Sequence, residues 1–265
     1  MRRLVMGDIH GNYKGMMQAL ERANYKPGDD MLISLGDIAD GWPDVVKCFV
    51  QLQEFKDCGN TVFIRGNHDQ WLLDDINEGF QNMRLEFGKK ATLNDIVPGN
   101  LDKIPFLKEF IESQVLYHIS EDNIGFVHGG FSSNYGLGAD IDTVYYWDRS
   151  LWETANSVHR FNIAEDEEEA FGYYTPPRYK AHNKVFIGHT QTTVWNMKER
   201  YPEFVDRETT PVGRPITVPM KRLNVINVDT GGGYNGKVTV MDVDTEEFWQ
   251  SDFSKELYPT ATMRN

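Results

Sequence analysis

The sequence is poor in cysteine and contains no long apolar run. Cys48 and Cys58 are its only two cysteines, and no Cys-x-x-Cys pair occurs, so neither a disulfide framework nor a cysteine-based metal site is expected. No stretch of about 18 apolar residues is present, so no transmembrane helix is predicted. The apolar residues 4–6 are too few for the core of a signal peptide, and Asp8 follows them closely. These absences predict a soluble cytoplasmic protein.

Basic side chains are also scarce relative to acidic ones. The chain has 27 Lys and Arg against 40 Asp and Glu, which gives a formal net charge of −13. Nucleic acids and anionic membranes both attract basic surfaces, so neither is an expected partner. The 265 residues are 40% apolar and 12% aromatic, which is enough to build one sizeable core and argues against a disordered chain.

The first seventy residues alternate between short apolar runs and amphipathic segments. Apolar runs occupy 4–6, 31–35 and 61–64, and each is followed by glycine or Arg-Gly and then by polar residues. Residues 13–23 and 43–55 lie between these runs and have apolar side chains at helical spacing. This β-α-β-α-β order predicts a sheet with parallel strands and crossover helices.

The remainder of the chain is less regular. Residues 70–87 and 101–112 are predicted helices, 115–119 and 124–128 are predicted to pair as a hairpin, and further strands are predicted at 185–187, 223–228 and 237–243. The acidic run 165–169 is typical of a solvated helix face. No repeat or low-complexity linker occurs. We therefore predict one catalytic domain over 1–265, with helical or loop insertions at about 70–112 and 150–183.

Five of the predicted strands end in glycine-flanked clusters of polar residues. Ligands of open α/β sheets bind at the carboxyl ends of the strands, and Asp, Asn and His suit divalent metals. One such cluster alone would be an ordinary turn or helix cap, whereas five at equivalent positions predict a metal centre. The clusters are Gly7-Asp8-Ile9-His10-Gly11, Gly36-Asp37-Ile38-Ala39-Asp40, Gly66-Asn67-His68-Asp69, Val127-His128-Gly129-Gly130 and Gly188-His189-Thr190.

In this order, the motifs GDIHG, GDxxD, RGNHD, HGG and GHT resemble those of the calcineurin-like metallophosphoesterases. The detail is most similar to the phosphoprotein phosphatase branch, with its bacterial and phage members. The resemblance spans residues 7–190, and Asp229-Thr230-Gly231 is similar to the C-terminal motif of that branch. It implies an α/β fold, an α/β/β/α sandwich of mixed sheets with flanking helices, and the activity of a metal-dependent phosphatase of the serine/threonine type.

The resemblance also implies a binuclear metal centre. Two divalent cations about 3.5–4 Å apart repel each other, so they need a shared carboxylate. A water molecule bound to both would be acidic enough to act as hydroxide and would attack phosphorus in line. Manganese is the expected ion, and iron or zinc would also suit the donors. The implied ligands are Asp8, His10 and Asp37 for the first metal, and Asp37, Asn67, His128 and His189 for the second.

A general acid is implied beside the metals. In the family that the chain resembles, the histidine after the ligand asparagine protonates the leaving alkoxide, and the second aspartate of GDxxD holds it. His68 and Asp40 occupy these positions. A carboxylate beside an imidazole raises its pKa and fixes its tautomer, as a general acid requires. The alternative for Asp40 is a helix N-cap.

Two arginines are candidates for a phosphate clamp, together with Asn67. Arg65 belongs to the Arg-Gly-Asn-His motif, and Arg149 resembles the arginine of a Trp-x-Arg motif in bacterial relatives. The alternative for Arg149 is a surface arginine paired with its neighbour Asp148. The family usually has Arg-Gly after GDxxD, whereas this chain has Gly41-Trp42, so we expect one arginine fewer and Trp42 at the edge of the pocket.

The substrate is expected to be a phosphoprotein or a small phosphoester. A phosphatase for phosphoserine and phosphothreonine is favoured over a symmetrical diadenosine polyphosphate hydrolase, because relatives of the latter type commonly have Ala-Arg-Gly where this chain has Ala39-Asp40-Gly41. A phosphodiesterase or nuclease usually carries Gly-His-x-His, but Gln191 stands at the last position. A metal-free protein-binding scaffold would have lost ligands, and none is missing. Asp229 either orients a ligand histidine or forms a turn before three glycines.

Overall fold

The computed structural model describes residues 1–81, 85–97, 99–164, 175–194 and 216–261. Their strands form two five-stranded sheets. The first sheet has the order β10-β9-β1-β2-β3, with β1 at Arg3–Met6, β2 at Met31–Ser34, β3 at Thr61–Phe63, β9 at Thr239–Asp242 and β10 at Phe248–Gln250. The second has the order β4-β5-β6-β8-β7, with β4 at Tyr117–Ile119, β5 at Ile124–Val127, β6 at Lys184–Ile187, β7 at Met220–Arg222 and β8 at Val225–Asn227.

Both sheets are mixed. Strands β1, β2 and β3 run parallel, and β9 pairs antiparallel with β1. In the second sheet β5, β6 and β8 run parallel, and β4 and β7 pair antiparallel with the outer two. The carboxyl ends of parallel strands share one edge of a sheet, so each sheet offers one edge to a ligand site.

Eight helices connect or flank these strands within the described ranges. They are α1 at Tyr13–Arg22, α2 at Val45–Cys58, α3 at Asn67–Asn77, α4 at Lys89–Ile96, α5 at Ile104–Glu112, α6 at Asp142–Trp147, α7 at Ser150–Ala164 and α8 at Ser254–Leu257. None of the described helices is long and apolar enough to cross a membrane.

The layers follow from the alternation of side chains along the strands. In β1, Val5 packs between the two sheets with Phe126 and Phe186 of the second sheet, whose rings stack 5.3 Å apart. Its neighbours Leu4 and Met6 point to the other face, against α1 and α2. On the far side, the second sheet packs against α7 through residues such as Trp152 and Leu151. The expected α/β/β/α sandwich of mixed sheets is therefore confirmed.

The middle of the chain differs in detail from the sequence-based expectation. The helix predicted at 70–87 is interrupted, because α3 ends at Asn77 and α4 begins only at Lys89. Gly79 and Gly88 both adopt positive φ angles, of +62° and +87°, which end one helix and precede the next. The predicted hairpin is confirmed as β4 and β5. The acidic run 165–169 lies outside the described residues.

Candidate metal centre and active site

The polar clusters meet where the strands of the two sheets end. Asp8, Asp37 and Asn67 follow β1, β2 and β3 of the first sheet, and His128 and His189 follow β5 and β6 of the second. His10 completes the set on the loop after β1. All six side chains are buried, although all are polar or ionisable. Such burial is costly unless the groups meet one another or a ligand.

Asp37 lies at the centre of this group. One of its carboxylate oxygens lies 3.4 Å from His10 Nε2, and the other lies 3.4 Å from His128 Nε2. His10 Nε2 is also 3.9 Å from Asp8 Oδ2, and His128 Nε2 is 3.1 Å from Asn67 Oδ1. The two oxygens of Asp37 thus face two separate sets of donors, as expected for a carboxylate shared by two metals.

Two possible metal-binding groups share this aspartate. The ligand atoms of His10, Asp37 and His68 lie within 4.8 Å of one another, and so do those of Asp37, His128 and His189. His189 Nε2 is buried and has no hydrogen-bond partner among the described residues, which is unusual for a buried polar atom in a folded protein. Carboxylate, amide and imidazole donors suit divalent cations, and a cation at this position would satisfy the orphaned nitrogen. The residues therefore fit a metal centre.

The imidazoles are oriented by backbone carbonyls. His10 Nδ1 lies 2.9 Å from the carbonyl oxygen of Ala39, and His128 Nδ1 lies 2.8 Å from that of Leu35. A carbonyl accepts a hydrogen bond, so each Nδ1 carries a proton and Nε2 is the ring atom left to bind a cation. Both rings are consequently held in the tautomer that a metal requires at Nε2.

Crowding of these charges shifts their pKa values strongly. Burial raises the pKa of Asp8 well above its usual value, and the nearby carboxylate of Asp229 raises it further. Burial would also raise the pKa of Asp37, but the imidazoles of His128 and His68 hold it well below its usual value. Burial lowers the pKa of His128, but Asp37 outweighs this effect and raises it to about 9. A cation bound at His128 must therefore displace a proton.

Several site residues adopt strained backbone conformations. His10, Asp37, Asp40 and His189 have φ angles of +50°, +50°, +68° and +64°. Each such angle costs about 1–2 kcal/mol for a residue other than glycine. These φ angles turn the backbone sharply in the loops that follow the strands. The strain persists because the surrounding contacts fix these loops.

Two motif glycines are needed because they lie against ligand carboxylates. A Cβ atom on Gly66 would lie 2.1 Å from Asp37 Oδ1, and one on Gly188 would lie 2.2 Å from Asp8 Oδ1. Any side chain there would displace the carboxylate. This close approach explains why Arg-Gly-Asn-His and Gly-His-Thr carry glycine before the ligand.

His68 and Asp40 form the expected pair. His68 Nδ1 lies 2.6 Å from Asp40 Oδ2, and both side chains are buried. Thr92, which sequence reasoning missed, donates its hydroxyl to Asp40 Oδ1 at 2.5 Å and accepts the Asp40 backbone N–H at 3.0 Å. Thr92 comes from α4, within the predicted insertion, so no local sequence signal marks it as part of the site.

Asp69 is a second residue that sequence reasoning left without a role. It is fully buried, and its Oδ1 accepts the N–H groups of Ile38 and Ala39 while its Oδ2 accepts that of Gly66. Burial, reinforced by the charge of Asp37, raises the pKa of Asp69 to about 6. Asp69 thus ties the loop after β2 to the start of α3. Its position three residues after a helix cap was the available signal.

A cavity of about 260 Å³ opens over these groups. Arg149 lies on its wall, with Nη1 3.0 Å from Thr190 Oγ1 and 3.3 Å from the carbonyl oxygen of His189. The carboxylate of Asp148 instead accepts the N–H groups of the two residues that follow Arg149. The described lining residues are His10, Asp37, Asn67, His68, Arg149, His189, Gln191, Val194, Asp229 and Tyr234.

The guanidinium of Arg65 contacts residues outside the described cavity lining. Its guanidinium donates to Gln70 Oε1 at 3.0 Å and to the carbonyl oxygen of Ile111 at 2.8 Å, near the end of α5. The carbonyls at a helix C-terminus attract a cation, which accounts for this orientation. Arg65 is not among the described residues that line the cavity, and its role as a substrate contact stays a prediction.

The expectation for Trp42 also changes. Trp42 is 1% exposed, its indole N–H donates to the carbonyl oxygen of Gly232 at 2.8 Å, and its ring stacks on Tyr258 at 5.3 Å. It therefore packs beneath the site and does not form the edge of the pocket. Asp229 lies in the cavity lining, and its Oδ1 also accepts the N–H of Gly231 at 3.0 Å, so the predicted turn is present as well.

Comparison with known proteins identifies the class. Residues 1–211 match the family described as calcineurin-like phosphoesterase. The match covers most of the chain, and it includes every residue of the proposed metal centre. The chain belongs to the calcineurin-like phosphoesterase family, and it is accordingly a phosphatase-type hydrolase of a family that uses divalent metals.

Individual relatives have names that describe two different activities. The chain is 39% identical over 70 residues to serine/threonine-protein phosphatase 1 of Salmonella typhimurium, which covers 26% of this chain and 31% of that protein. It is 25% identical over 310 aligned residues to the symmetrical bis(5'-nucleosyl)-tetraphosphatase of Pseudomonas entomophila, covering 98% and 97%. A solved protein serine/threonine phosphatase from Saccharomyces cerevisiae shares the fold, with a TM-score of 0.53 at 15% identity over 96% of this chain and 79% of that one.

Proposed function

We propose that the protein is a cytoplasmic, manganese-dependent phosphomonoesterase that acts on phosphoserine and phosphothreonine through a binuclear metal centre. The whole chain, 1–265, would form its single catalytic domain. The observation that carries this proposal is the contact of 2.6 Å between His68 and Asp40 beside the shared carboxylate of Asp37. A serine alkoxide is a poor leaving group and needs a proton as it departs, and this pair can supply one.

The metal-binding roles are assigned by position and donor type. When bound, two divalent cations would acidify a water molecule and neutralise the charge that develops on the phosphate oxygens. Asp37 would contribute to both sites because its two oxygens face opposite groups of donors. The proposed ligands are Asp8, His10 and Asp37 for one cation, and Asp37, Asn67, His128 and His189 for the other.

His68 would act as the general acid. Asp40 accepts the Nδ1–H of His68, so the exchangeable proton is at Nε2, and His68 lies in the cavity wall. An imidazole held in this orientation can give its Nε2 proton to the departing oxygen. Thr92 holds the other oxygen of Asp40 and thereby fixes the direction of the carboxylate.

Arg149 and Asn67 would orient the phosphate. Arg149 lies on the cavity wall, where it is tied to Thr190 on the loop that carries His189. A guanidinium can bind two phosphate oxygens at once, which aligns the phosphorus for in-line attack. Arg149 and the cations would together offset the negative charge of the surrounding carboxylates, so an acidic protein can accept an anionic substrate.

The decisive experiment is hydrolysis of a phosphoserine peptide by the manganese-loaded protein and by His68→Asn. We expect the variant to retain its metal, measured by elemental analysis, and to lose about 10²–10⁴-fold in kcat, the range typical of a general acid. Absence of hydrolysis with each of manganese, zinc, iron and magnesium would refute the proposal. A variant of unchanged kcat would refute the role of His68.

A symmetrical dinucleoside tetraphosphatase is the second candidate. It is favoured by the Pseudomonas entomophila relative, which aligns over nearly its entire length, whereas the Salmonella typhimurium phosphatase aligns over less than a third of its own. Cleavage of an anhydride expels a stabilised phosphate group, so protonation of the leaving group by His68 would matter less. We expect His68→Asn to slow phosphoserine hydrolysis more than diadenosine tetraphosphate hydrolysis. Wild-type kcat/KM values for both substrates and for bis-p-nitrophenyl phosphate would rank the candidates.

A further inference from the structure

The loop that carries His10 packs directly on Trp42, at the position where this chain departs from the usual Arg-Gly. The backbone N–H of Trp42 donates to the carbonyl oxygen of His10 at 2.8 Å. A Cβ atom on Gly11, whose φ is +66°, would lie 2.2 Å from the carbonyl oxygen of Trp42, and one on Gly41 would lie 2.9 Å from His10 Cβ. The backbone of this proposed metal ligand is therefore fixed against that of Trp42.

A turn near the C-terminus supports the ring of the same histidine. A Cβ atom on Gly233 would lie 2.3 Å from His10 Cδ2, so the imidazole packs against the backbone at this residue. Across the ring, His10 Nδ1 lies 2.9 Å from the carbonyl oxygen of Ala39. The ring is thus confined between two loops, with Nε2 placed 3.4 Å from Asp37 Oδ2.

The indole of Trp42 holds this turn in place. Its Nε1–H donates to the carbonyl oxygen of Gly232, the residue before Gly233, at 2.8 Å. The Ser254 hydroxyl lies 2.8 Å from the same oxygen and accepts a hydrogen bond from Asn12 Nδ2 at 2.8 Å. All three side chains are buried, and hydrogen bonds are electrostatically stronger there than in water. One carbonyl therefore joins the turn, Trp42 and the start of α8.

Tyr258, directly after α8, packs on the face of the same indole. The two rings stack with centroids 5.3 Å apart and with planes inclined by 23°. Tyr258 Oη donates to Asp44 Oδ2 at 2.7 Å and accepts the backbone N–H of Lys14 at 3.1 Å. These contacts fix the indole between Tyr258 and Gly232.

We propose that Trp42 is a positioning residue for the first cation of the proposed metal centre. Its indole N–H holds the turn 231–233 against the ring of His10 and thereby raises the affinity of this site for manganese. The inference rests on the proposed function, because it takes His10 as a ligand of that cation. A ligand that is already held in its binding orientation loses little conformational entropy when the cation binds. Without the N–H, the turn and the ring gain freedom and the first cation binds more weakly.

The second cation should not depend on Trp42. The ligands that it does not share with the first are Asn67, His128 and His189. Within the described residues, no hydrogen bond of Trp42 or Tyr258 reaches any of these three side chains. The two ions therefore serve as internal controls for each other.

The test measures manganese binding to the full chain and to Trp42→Phe, which keeps an aromatic ring against Tyr258 and removes the N–H that Gly232 accepts. We expect the wild type to bind two manganese ions by calorimetry and to show the electron paramagnetic resonance spectrum of a spin-coupled pair. In Trp42→Phe the affinity for one ion should fall about tenfold, the lower end of the range for a group that orients a ligand, and that for the other should change less than twofold. At an intermediate manganese concentration the variant should show the six-line spectrum of a single ion.

Trp152→Phe is the matched control. Trp152 is also buried, but it lies on α7, and its Nε1 has no hydrogen-bond partner among the described residues. Both substitutions remove the same atoms from a packed interior, so both should lower the free energy of unfolding, but only Trp42→Phe should weaken manganese binding. Ser254→Ala removes another donor to Gly232 and should weaken binding of the same ion about threefold.

Removal of the His10 side chain determines whether Trp42 acts through it. His10→Ala should leave one ion bound, and Trp42→Phe added in that background should change its affinity less than twofold. An equal loss for both ions in Trp42→Phe, an equal loss in Trp152→Phe, or a further loss in the double variant would overturn the inference, since each would indicate a general loosening of the fold.

Binding and hydrolysis together separate this inference from the proposed function. The expected loss for one ion, without hydrolysis of a phosphoserine peptide by any metal-loaded form, would support the inference and refute the proposed function alone. Two bound ions with unchanged affinities in Trp42→Phe would overturn the inference and leave the proposed function intact. Binding of fewer than two manganese ions by the wild type would refute both.

Discussion

The two sheets make different contributions to the site. The loops of the first sheet carry both aspartates of the proposed metal centre and the acid pair of His68 and Asp40, and these loops are tied together by Asp69. The second sheet supplies His128, whose ring is oriented by the carbonyl of Leu35 after β2, and His189, whose Nε2 has no hydrogen-bond partner within the described part of the chain. The segments associated with the second sheet also carry Arg149 and Gln191, which lie on the cavity wall. The first sheet therefore carries the proposed acid pair and the carboxylates of the proposed metal centre. The second sheet completes that centre and forms part of the cavity wall.

The largest expected effect comes from disrupting the contact between the loop after β6 and the loop after β1. Gly188→Ala would place a Cβ 2.2 Å from Asp8 Oδ1, so Asp8 must move and the first metal site is lost. We expect activity on every substrate to fall below detection and the bound metal, measured by elemental analysis, to fall with it. Gly99→Ala is the control, because its Cβ would meet no described residue within 4 Å. Full metal content and activity in Gly188→Ala would contradict the packing.

The acid pair on the first sheet should depend on Thr92. Thr92→Val removes the hydroxyl that donates to Asp40 Oδ1, so the carboxylate can turn away from His68. We expect kcat for a phosphoserine peptide to fall about tenfold, part of the total contribution of a general acid, with KM and metal content unchanged. Thr92→Ser keeps the hydroxyl and should retain most of the activity. Equal losses in Val and Ser variants would indicate that Thr92 acts only through packing.

Variants of the two arginines named from the sequence should differ in their effects, one on substrate binding and the other on stability. Arg149→Ala removes a cation from the cavity wall, so we expect KM to rise about tenfold while the free energy of unfolding stays within about 0.5 kcal/mol. Arg65→Ala removes hydrogen bonds to the end of α5, so it should lower the free energy of unfolding by about 1–3 kcal/mol and leave KM unchanged. Steady-state kinetics and urea unfolding of both variants measure these quantities. A raised KM in Arg65→Ala with unchanged stability would assign Arg65 to the substrate site.

The strand ends could be predicted from the sequence, because each combines a short apolar run with Gly and a residue type that can bind a metal. That pattern predicted the parallel strands and the placement of Asp8, Asp37 and His189 after them, and the family resemblance implied the α/β/β/α sandwich. Thr92 and Trp71 were not predicted as parts of the site, because they reach it through tertiary packing of α3 and α4 and not through a local motif. The hydrogen-bond partners of Arg65 could not be predicted for the same reason, since one of them is a distant helix end.

The smallest expected effect lies at the opposite end of the first sheet, where Arg2 pairs with Asp30 at 2.7 Å just before β1 and β2 begin. Burial raises the pKa of Asp30, but hydrogen bonding to Arg2 outweighs it and lowers the pKa below its usual value. A carboxylate with a lowered pKa stabilises the fold above about pH 4, and this stabilisation is lost as the pH falls through the lowered value. We expect Asp30→Asn to reduce the free energy of unfolding by about 0.5 kcal/mol at pH 7, and urea unfolding at pH 3 to give a smaller difference. Its kcat/KM should equal that of the wild type, because only the carboxyl ends of these strands carry the chemistry, and a loss of activity in this variant would contradict that division.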